Sequence, residues 1–323
     1  LSLDCVSRGP KYCLILLLAF SLPYISCSGA GRYEPGVITQ QNPPRGFELV
    51  RYIGPTIEGG ADLYSPCDIA FDVDGQMFIC DNGNHRILKL GRQLAFIKEI
   101  GGFGNGNEQL ANPIAIVFDN GLTLMVADTQ KRRISRFDRN LNFIDFFLEY
   151  KSAEAFANIG KPSGIHIGRN GDIYLSDDDN NRVLVLDSFY NLQSEIGGFG
   201  YGNGELSSPA GLVTDQSDNL LVADSRNGRI AVYNSVGGYS GDFGRDRLRY
   251  PIDIAIDPAG YIYVSDRNLK SVLVFSRSGK YTIESSSYGS FLDEPAGIHI
   301  HSDGYIYVAD RASNRIAVLN IIR

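Results

Sequence analysis

Read from its proline, the stretch Pro162-Ser163-Gly164-Ile165-His166-Ile167-Gly168-Arg169-Asn170-Gly171-Asp172-Ile173-Tyr174-Leu175-Ser176-Asp177 contains two short strands and the turn between them. Ile165 and Ile167 alternate with Gly164 and His166, the two-residue period of a strand with one apolar face. Asn170-Gly171 supplies the positive φ of a tight turn. Ile173-Tyr174-Leu175 is apolar throughout, as a strand covered on both faces should be. The interval from proline to aspartate recurs six times with a constant 15 residues: Pro66 to Asp81, Pro113 to Asp128, Pro162 to Asp177, Pro209 to Asp224, Pro251 to Asp266 and Pro295 to Asp310. Successive prolines stand 47, 49, 47, 42 and 44 residues apart, so the first half of each unit is fixed and the second half varies.

A third strand follows each aspartate, as in Arg182-Val183-Leu184-Val185-Leu186 and Arg315-Ile316-Ala317-Val318-Leu319. A weaker fourth precedes a Gly-rich link, as in Phe96-Ile97-Lys98-Glu99-Ile100. Four strands in 42–49 residues is the size of a propeller blade. The chain ends after the third strand of unit six, and Phe47-Glu48-Leu49-Val50-Arg51-Tyr52-Ile53-Gly54 aligns with the fourth strands of other units. The expected fold is therefore all-β: a six-bladed β-propeller over residues 47–323, its last blade closed by the N-terminal strand.

Composition agrees. The 323 residues include 36 Gly, 18 Tyr and 17 Phe, favouring short strands and tight turns. The absence of Trp excludes WD-type blades and tetratricopeptide helices. A net charge of −7 argues against a general nucleic-acid binder, which needs cations facing phosphates.

At these residues the sequence resembles the NHL-repeat family of β-propellers. Pro162 onward and Pro295 onward follow the P-x-G-I pattern closely, and Asn84-His85-Arg86-Ile87, Asn180-Asn181-Arg182-Val183 and Asn227-Gly228-Arg229-Ile230 carry the N-x-R that follows the aspartate. Unit five departs, with Ser271 where the five other units have Arg. Units one and five carry Asp68 and Asp253 where Gly is usual, and unit two carries Ala115. The resemblance implies a six-bladed ring used for protein binding, RNA binding or, in relatives, lyase or hydrolase chemistry. Fold alone does not choose among these.

The first residues read as an address. Arg8 and Lys11 precede the apolar run Cys13 to Ile25, which is too short for a span of about twenty residues and fits a secretory signal. Ile25-Ser26-Cys27-Ser28 resembles the bacterial lipoprotein box, which would make Cys27 the lipidated N-terminus. Ordinary cleavage after Ala30 is the alternative. The expected organisation is a signal peptide over 1–27, a flexible tether over 28–46 and the propeller beyond, in an exported protein of the cell envelope held to the membrane through a lipid anchor only. Cys67 and Cys80 remain in the mature chain, and an even pair in an exported protein points to a disulfide, with two buried thiols as the alternative.

Candidate site residues are the breaks in the repeat. His166 and His299 both stand four residues after the proline, on units facing each other across a six-membered ring. With Asp68 and Asp253 on the same inner strands, they form a candidate channel site for a metal or for acid–base work. Packing between blades is the alternative. Arg86, Arg133, Arg182, Arg229 and Arg315 follow the repeat aspartate by five residues and are expected to pair with it. The links Gly101-Gly102-Phe103-Gly104-Asn105-Gly106 and Gly197-Gly198-Phe199-Gly200-Tyr201-Gly202 lead to a proline and a strand, not to the helix a phosphate loop requires. Asp177-Asp178-Asp179 lacks calcium-loop spacing and reads as a solvated turn. No nucleophile elbow or zinc-hydrolase motif occurs. The expected function is a non-catalytic binding or scaffold module, without a cofactor, that meets a protein or saccharide ligand at one propeller face and does not bind nucleic acid. The alternative is a lactonase- or lyase-type enzyme with a divalent metal in the channel.

Overall fold

The computed structural model describes residues 42–119, 122–149 and 159–323. The signal-peptide and lipidation readings, most of the expected tether, and the turn at Asn120-Gly121 lie outside these residues.

Six four-stranded antiparallel sheets surround a central channel. Blade 1 is Pro66–Phe71, Met77–Asp81, Arg86–Leu90 and Phe96–Gly101, from the channel outward. Blades 2 to 5 repeat this order, starting from Pro113–Asp119, Pro162–Ile167, Pro209–Thr214 and Pro251–Ile256. Blade 6 takes its three inner strands from Pro295–Ile300, Ile306–Asp310 and Arg315–Ile322, and its outer strand from Gly46–Ile53. The expected closure is thus present. It matters because an unclosed sixth blade would leave a free strand edge and a ring able to open.

The second strands are apolar through most of their length because both of their faces are buried. In blade 1, Met77 and Ile79 enter the core shared with blade 6, while Phe78 and Cys80 enter the core shared with blade 2. Each of the six apolar clusters is built from two neighbouring blades and none from a single blade. Burial therefore holds the ring together blade against blade.

The repeat aspartate fastens each incoming link to its own blade with hydrogen bonds. All six, from Asp81 to Asp310, are fully buried. Each accepts the backbone N–H two residues before its own blade's proline: Tyr64 to Asp81 (2.7 Å), Ala111 to Asp128 (2.8 Å), Gly160 to Asp177 (3.1 Å), Ser207 to Asp224 (2.7 Å), Arg249 to Asp266 (2.7 Å) and Asp293 to Asp310 (2.9 Å). The residue just before each third strand is left-handed in all six blades (His85, Arg132, Asn181, Gly228, Lys270, Asn314), and it reverses the chain toward the arginine position. In four blades that arginine meets its aspartate: Arg86–Asp81 (2.8 Å), Arg182–Asp177 (3.3 Å), Arg229–Asp224 (2.6 Å) and Arg315–Asp310 (3.1 Å). In blade 2, Arg133 donates to the Gln109 carbonyl (2.7 Å) and covers the Phe146 ring. In blade 5, Ser271 meets Ser285 instead (3.1 Å).

Candidate functional site

Antiparallel blades give the ring two unlike faces. One bears the turns between second and third strands and the blade-to-blade links, here the link face. The other bears the first-hairpin turns and the turns between third and fourth strands, here the hairpin face. The inner strands enclose a cavity of about 480 Å³ along the axis. Its mouth on the link face is formed by Asp178, Ser208, Ser225, Tyr250, Arg267 and Arg311. Inward of these, the wall is mostly aliphatic, with Ile69, Ile116, Ile165, Leu212, Ile254 and Ile298 at one recurring level.

Two carboxylates interrupt that wall. Every inner strand slips register just after its proline, forming a bulge that frees backbone groups from their own blade. Asp68 uses one such group, accepting the Ile116 N–H of blade 2 (2.7 Å) as well as the Ile69 N–H (2.8 Å). Asp253 accepts the Ile298 N–H of blade 6 (2.9 Å) in the same way. On the opposite side each leans on a glycine of the preceding blade. Asp68 Oδ1 occupies the place of a Cβ on Gly297, and Asp253 Oδ1 that of a Cβ on Gly211. The sequence breaks at Asp68 and Asp253 are thus inter-blade ties. Burial pushes the Asp68 carboxyl well above the ordinary carboxylate range, and the charge of Asp253 pushes it further. Burial raises Asp253 to about 7 against the backbone N–H bonds that favour its charge.

His166 and His299 line the same cavity, but each ring reaches sideways to the following blade. His166 Nε2 accepts the Thr214 N–H (3.2 Å) and lies 3.0 Å from Thr214 Oγ1, so the proton of the neutral ring is on Nδ1. His299 packs on Phe71 of blade 1, with ring centroids 5.1 Å apart, in a cluster with His301 and Tyr307. Burial lowers both imidazoles to about 4, helped at His299 by His301. Among the described residues no three His, Cys, Asp or Glu side chains converge as a metal site. The donor set required by the metal-enzyme alternative is therefore not assembled there.

Cys67 and Cys80 are two buried free thiols, which corrects the expected disulfide. Cys67 falls in the bulge between Pro66 and Asp68, so the strand partner of Cys80 is Asp68. Cys67 Sγ points to the Pro113 carbonyl of blade 2 (3.3 Å). In the acidic turn, Asp177 is tied inside the fold, Asp178 accepts the Ser208 hydroxyl (2.6 Å), and Asp179 pairs with Arg132 (2.8 Å) and Lys161 (2.9 Å).

The link face carries a feature that sequence reasoning passed over. Four of the six exposed aromatic residues among the described residues lie in links on this face: Tyr64, Phe103, Phe199 and Tyr201; Tyr288 follows the outer strand of blade 5 but turns to the Arg45 carbonyl and Phe47 at the other end of blade 6, and Phe189 lies in a turn on the hairpin face. Phe103 and Phe199 are the tips of the two Gly-rich links and are 68% and 64% exposed. Each link is braced from within: Gln109 Oε1 accepts the Gly106 N–H (2.7 Å), and Glu205 Oε2 accepts the Gly202 N–H (2.8 Å). The available signal was the repeated Gly-Gly-Phe-Gly, in which an aromatic sits where a link needs none.

Comparison with known proteins places these observations. A family model described as NHL repeat matches residues 206–233, which lie in blade 4 and the link before it. Protein brain tumor of Drosophila melanogaster and B-box type zinc finger protein ncl-1 of Caenorhabditis elegans are each 26% identical to the chain over 121 residues. That stretch is 37% of this chain but 12% and 14% of theirs, so the chain spans well under a fifth of the length of these curated relatives. Among solved structures, a streptogramin B lyase is similar with a TM-score of 0.62 at 15% identity, over 85% of this chain and 98% of that one. A chain in a nidogen/laminin complex is similar with a TM-score of 0.59 at 17% identity, over 78% and 88%. At these identities the likeness is one of fold. The chain is a six-bladed β-propeller that carries an NHL repeat in its fourth blade.

Proposed function

We propose that this propeller is a non-catalytic binding module that meets a partner protein on its link face. The observation that carries the reading is the aromatic asymmetry: Tyr64, Phe103, Phe199 and Tyr201 stand exposed around one face, Phe103 on a link braced by Gln109 and Phe199 and Tyr201 on a link braced by Glu205. Isolated exposed apolar residues are ordinary. Large rings on braced loops of a single face form a protein-binding surface of low conformational cost, the side-chain type in which interface hot spots are richest. The fold likeness to a chain in a nidogen/laminin complex, itself a protein assembly, is consistent with this use. The hairpin face lacks the pattern. An enzymatic role in the channel finds less support, because His166 and His299 are engaged with neighbouring blades and Asp68 and Asp253 tie the ring.

The same reading keeps the sequence expectation of an exported module tethered to the cell envelope through Cys27. Mass spectrometry of the mature N-terminus tests that part: an acylated Cys27 supports it, and an unmodified chain beginning at Gly31 contradicts it.

The binding reading is tested by placing a photo-crosslinking amino acid at Phe103 or Phe199, and at Phe189 or Val236 as hairpin-face controls, in the cells that make the protein. A discrete protein adduct from the link-face positions alone is expected. Adducts from the hairpin face alone, or from neither face, would overturn it.

A further inference from the structure

We propose that the axial cavity is a second binding site, for a small molecule with a compact apolar body and a single ammonium head seated between Asp68 and Asp253. Three observations lead there. The cavity, about 480 Å³, is of ligand size, is walled mostly by isoleucine, leucine, valine and alanine with His166, His299 and Ser163 among them, and opens on the link face past Tyr250, Arg267 and Arg311. Second, the two carboxylates converge on one short piece of blade 6: Asp68 Oδ1 fills the space over Gly297, and Asp253 Oδ2 holds the N–H of the next residue, Ile298. Both carboxylates line the cavity beside this piece of blade 6, near enough for the charge of Asp253 to act on Asp68. Third, the basic groups at the mouth are directed elsewhere. Arg267 stacks on Tyr250 and pairs with Glu294 (3.9 Å), and Arg311 donates to Ser65 Oγ (3.3 Å).

The chemistry follows from what the pair lacks. Two carboxylates crowded in a low-dielectric wall repel each other and hold protons that a cation would displace. An ammonium supplies three donors and the missing positive charge, and its alkyl or cycloalkyl body covers the aliphatic wall. An anion would meet Asp68 and Asp253 directly, and a neutral alcohol brings no charge to replace their protons. The site is separate from the aromatic links, so it stands or falls independently of partner binding on the face.

The test uses the intact chain and two isosteric probes, cyclohexylmethylamine and cyclohexylmethanol, followed by calorimetry and ligand-observed NMR. The amine is expected to bind saturably and at least ten times more tightly than the alcohol. Asp253→Asn and Asp68→Asn each keep an acceptor for the inter-blade N–H and should weaken the amine about tenfold with the alcohol unchanged. Should either variant fail to fold, calorimetry of the unaltered protein at neutral pH in two buffers of different ionisation enthalpy decides the matter, because amine binding is expected to release protons. Equal binding of amine and alcohol, no saturable binding of the amine, or binding without proton release would overturn the proposal.

Discussion

Asp68 and Gly297 share one volume across the seam between blades 6 and 1: the carboxylate lies where a Cβ on the glycine would stand. Asp253 and Gly211 repeat the relationship between blades 4 and 5. Each aspartate thus requires a glycine in the blade before it and a free N–H in the blade after it. Gly297→Ala should therefore destabilise the protein by about 1–3 kcal/mol, the usual range for overpacking, since the new methyl group also meets the Cys67 carbonyl at 2.7 Å. Urea melts of Gly297→Ala and of Gly304→Ala check this. Gly304 has open space around its Cβ position but a φ of +87°, so its loss measures backbone strain without crowding.

Arg229 is the most enclosed of the paired arginines. It bonds Asp224 (2.6 Å), Asp242 (2.9 Å) and the Gly202 and Glu205 carbonyls (3.0 and 2.6 Å) with no exposed side-chain surface. Removing one member of a buried pair leaves the other charge uncompensated, so Arg229→Ala should cost about 3–5 kcal/mol. Arg86 makes the same pair at the edge of solvent, and Arg86→Ala should cost clearly less. Equal losses in denaturant melts would contradict the importance given to burial.

Opposed titrations meet in the channel. His166 and His299 are lowered from 6.5 to about 4 by burial, so between those values the unfolded chain binds more protons and each histidine makes stability rise with pH. Asp253 is raised from 3.8 to about 7, so over the same window the folded chain binds the extra proton and stability falls with rising pH. Asp253→Asn should steepen the rise of stability with pH by about 1.4 kcal/mol per unit between about pH 4.5 and 6, and His166→Gln should flatten it by a similar amount. Urea melts across that range supply both slopes; a parallel pair of curves for the wild type and Asp253→Asn would remove the carboxyl group from the account.

The ring was legible in the sequence because its determinants are local and repeated. The fixed interval from proline to aspartate sets the first hairpin, and the arginine five residues on marks the third strand. The closing strand was legible too, since Phe47 to Gly54 matches other fourth strands. What the sequence displayed without explaining were contacts made only when the ring closes. Asp68 stood out as a departure from glycine, yet its partners, Gly297 and Ile116, are 229 and 48 positions away along the chain. His166 and His299 were expected to approach the axis from opposite blades. They line the cavity and also turn to Thr214 and Phe71, equivalent positions of the following blades, because an inner strand packs its neighbour as well as lining the channel. Cys67 and Cys80 are free thiols, with Cys67 Sγ directed at the Cys80 and Pro113 carbonyls, an arrangement that no composition rule anticipates.

The account's central claim, recognition through the link face, is tested most directly by the affinity of the photo-crosslinked partner for the double variant Phe103→Ser, Phe199→Ser. Both rings are largely exposed, so the variant should melt within about 0.5 kcal/mol of the wild type. Its Kd should rise about 30-fold or more, the loss of at least one hot spot. An unchanged Kd in that variant, together with weakened binding in Phe189→Ser, Val236→Ser, would move recognition to the opposite face and contradict the claim.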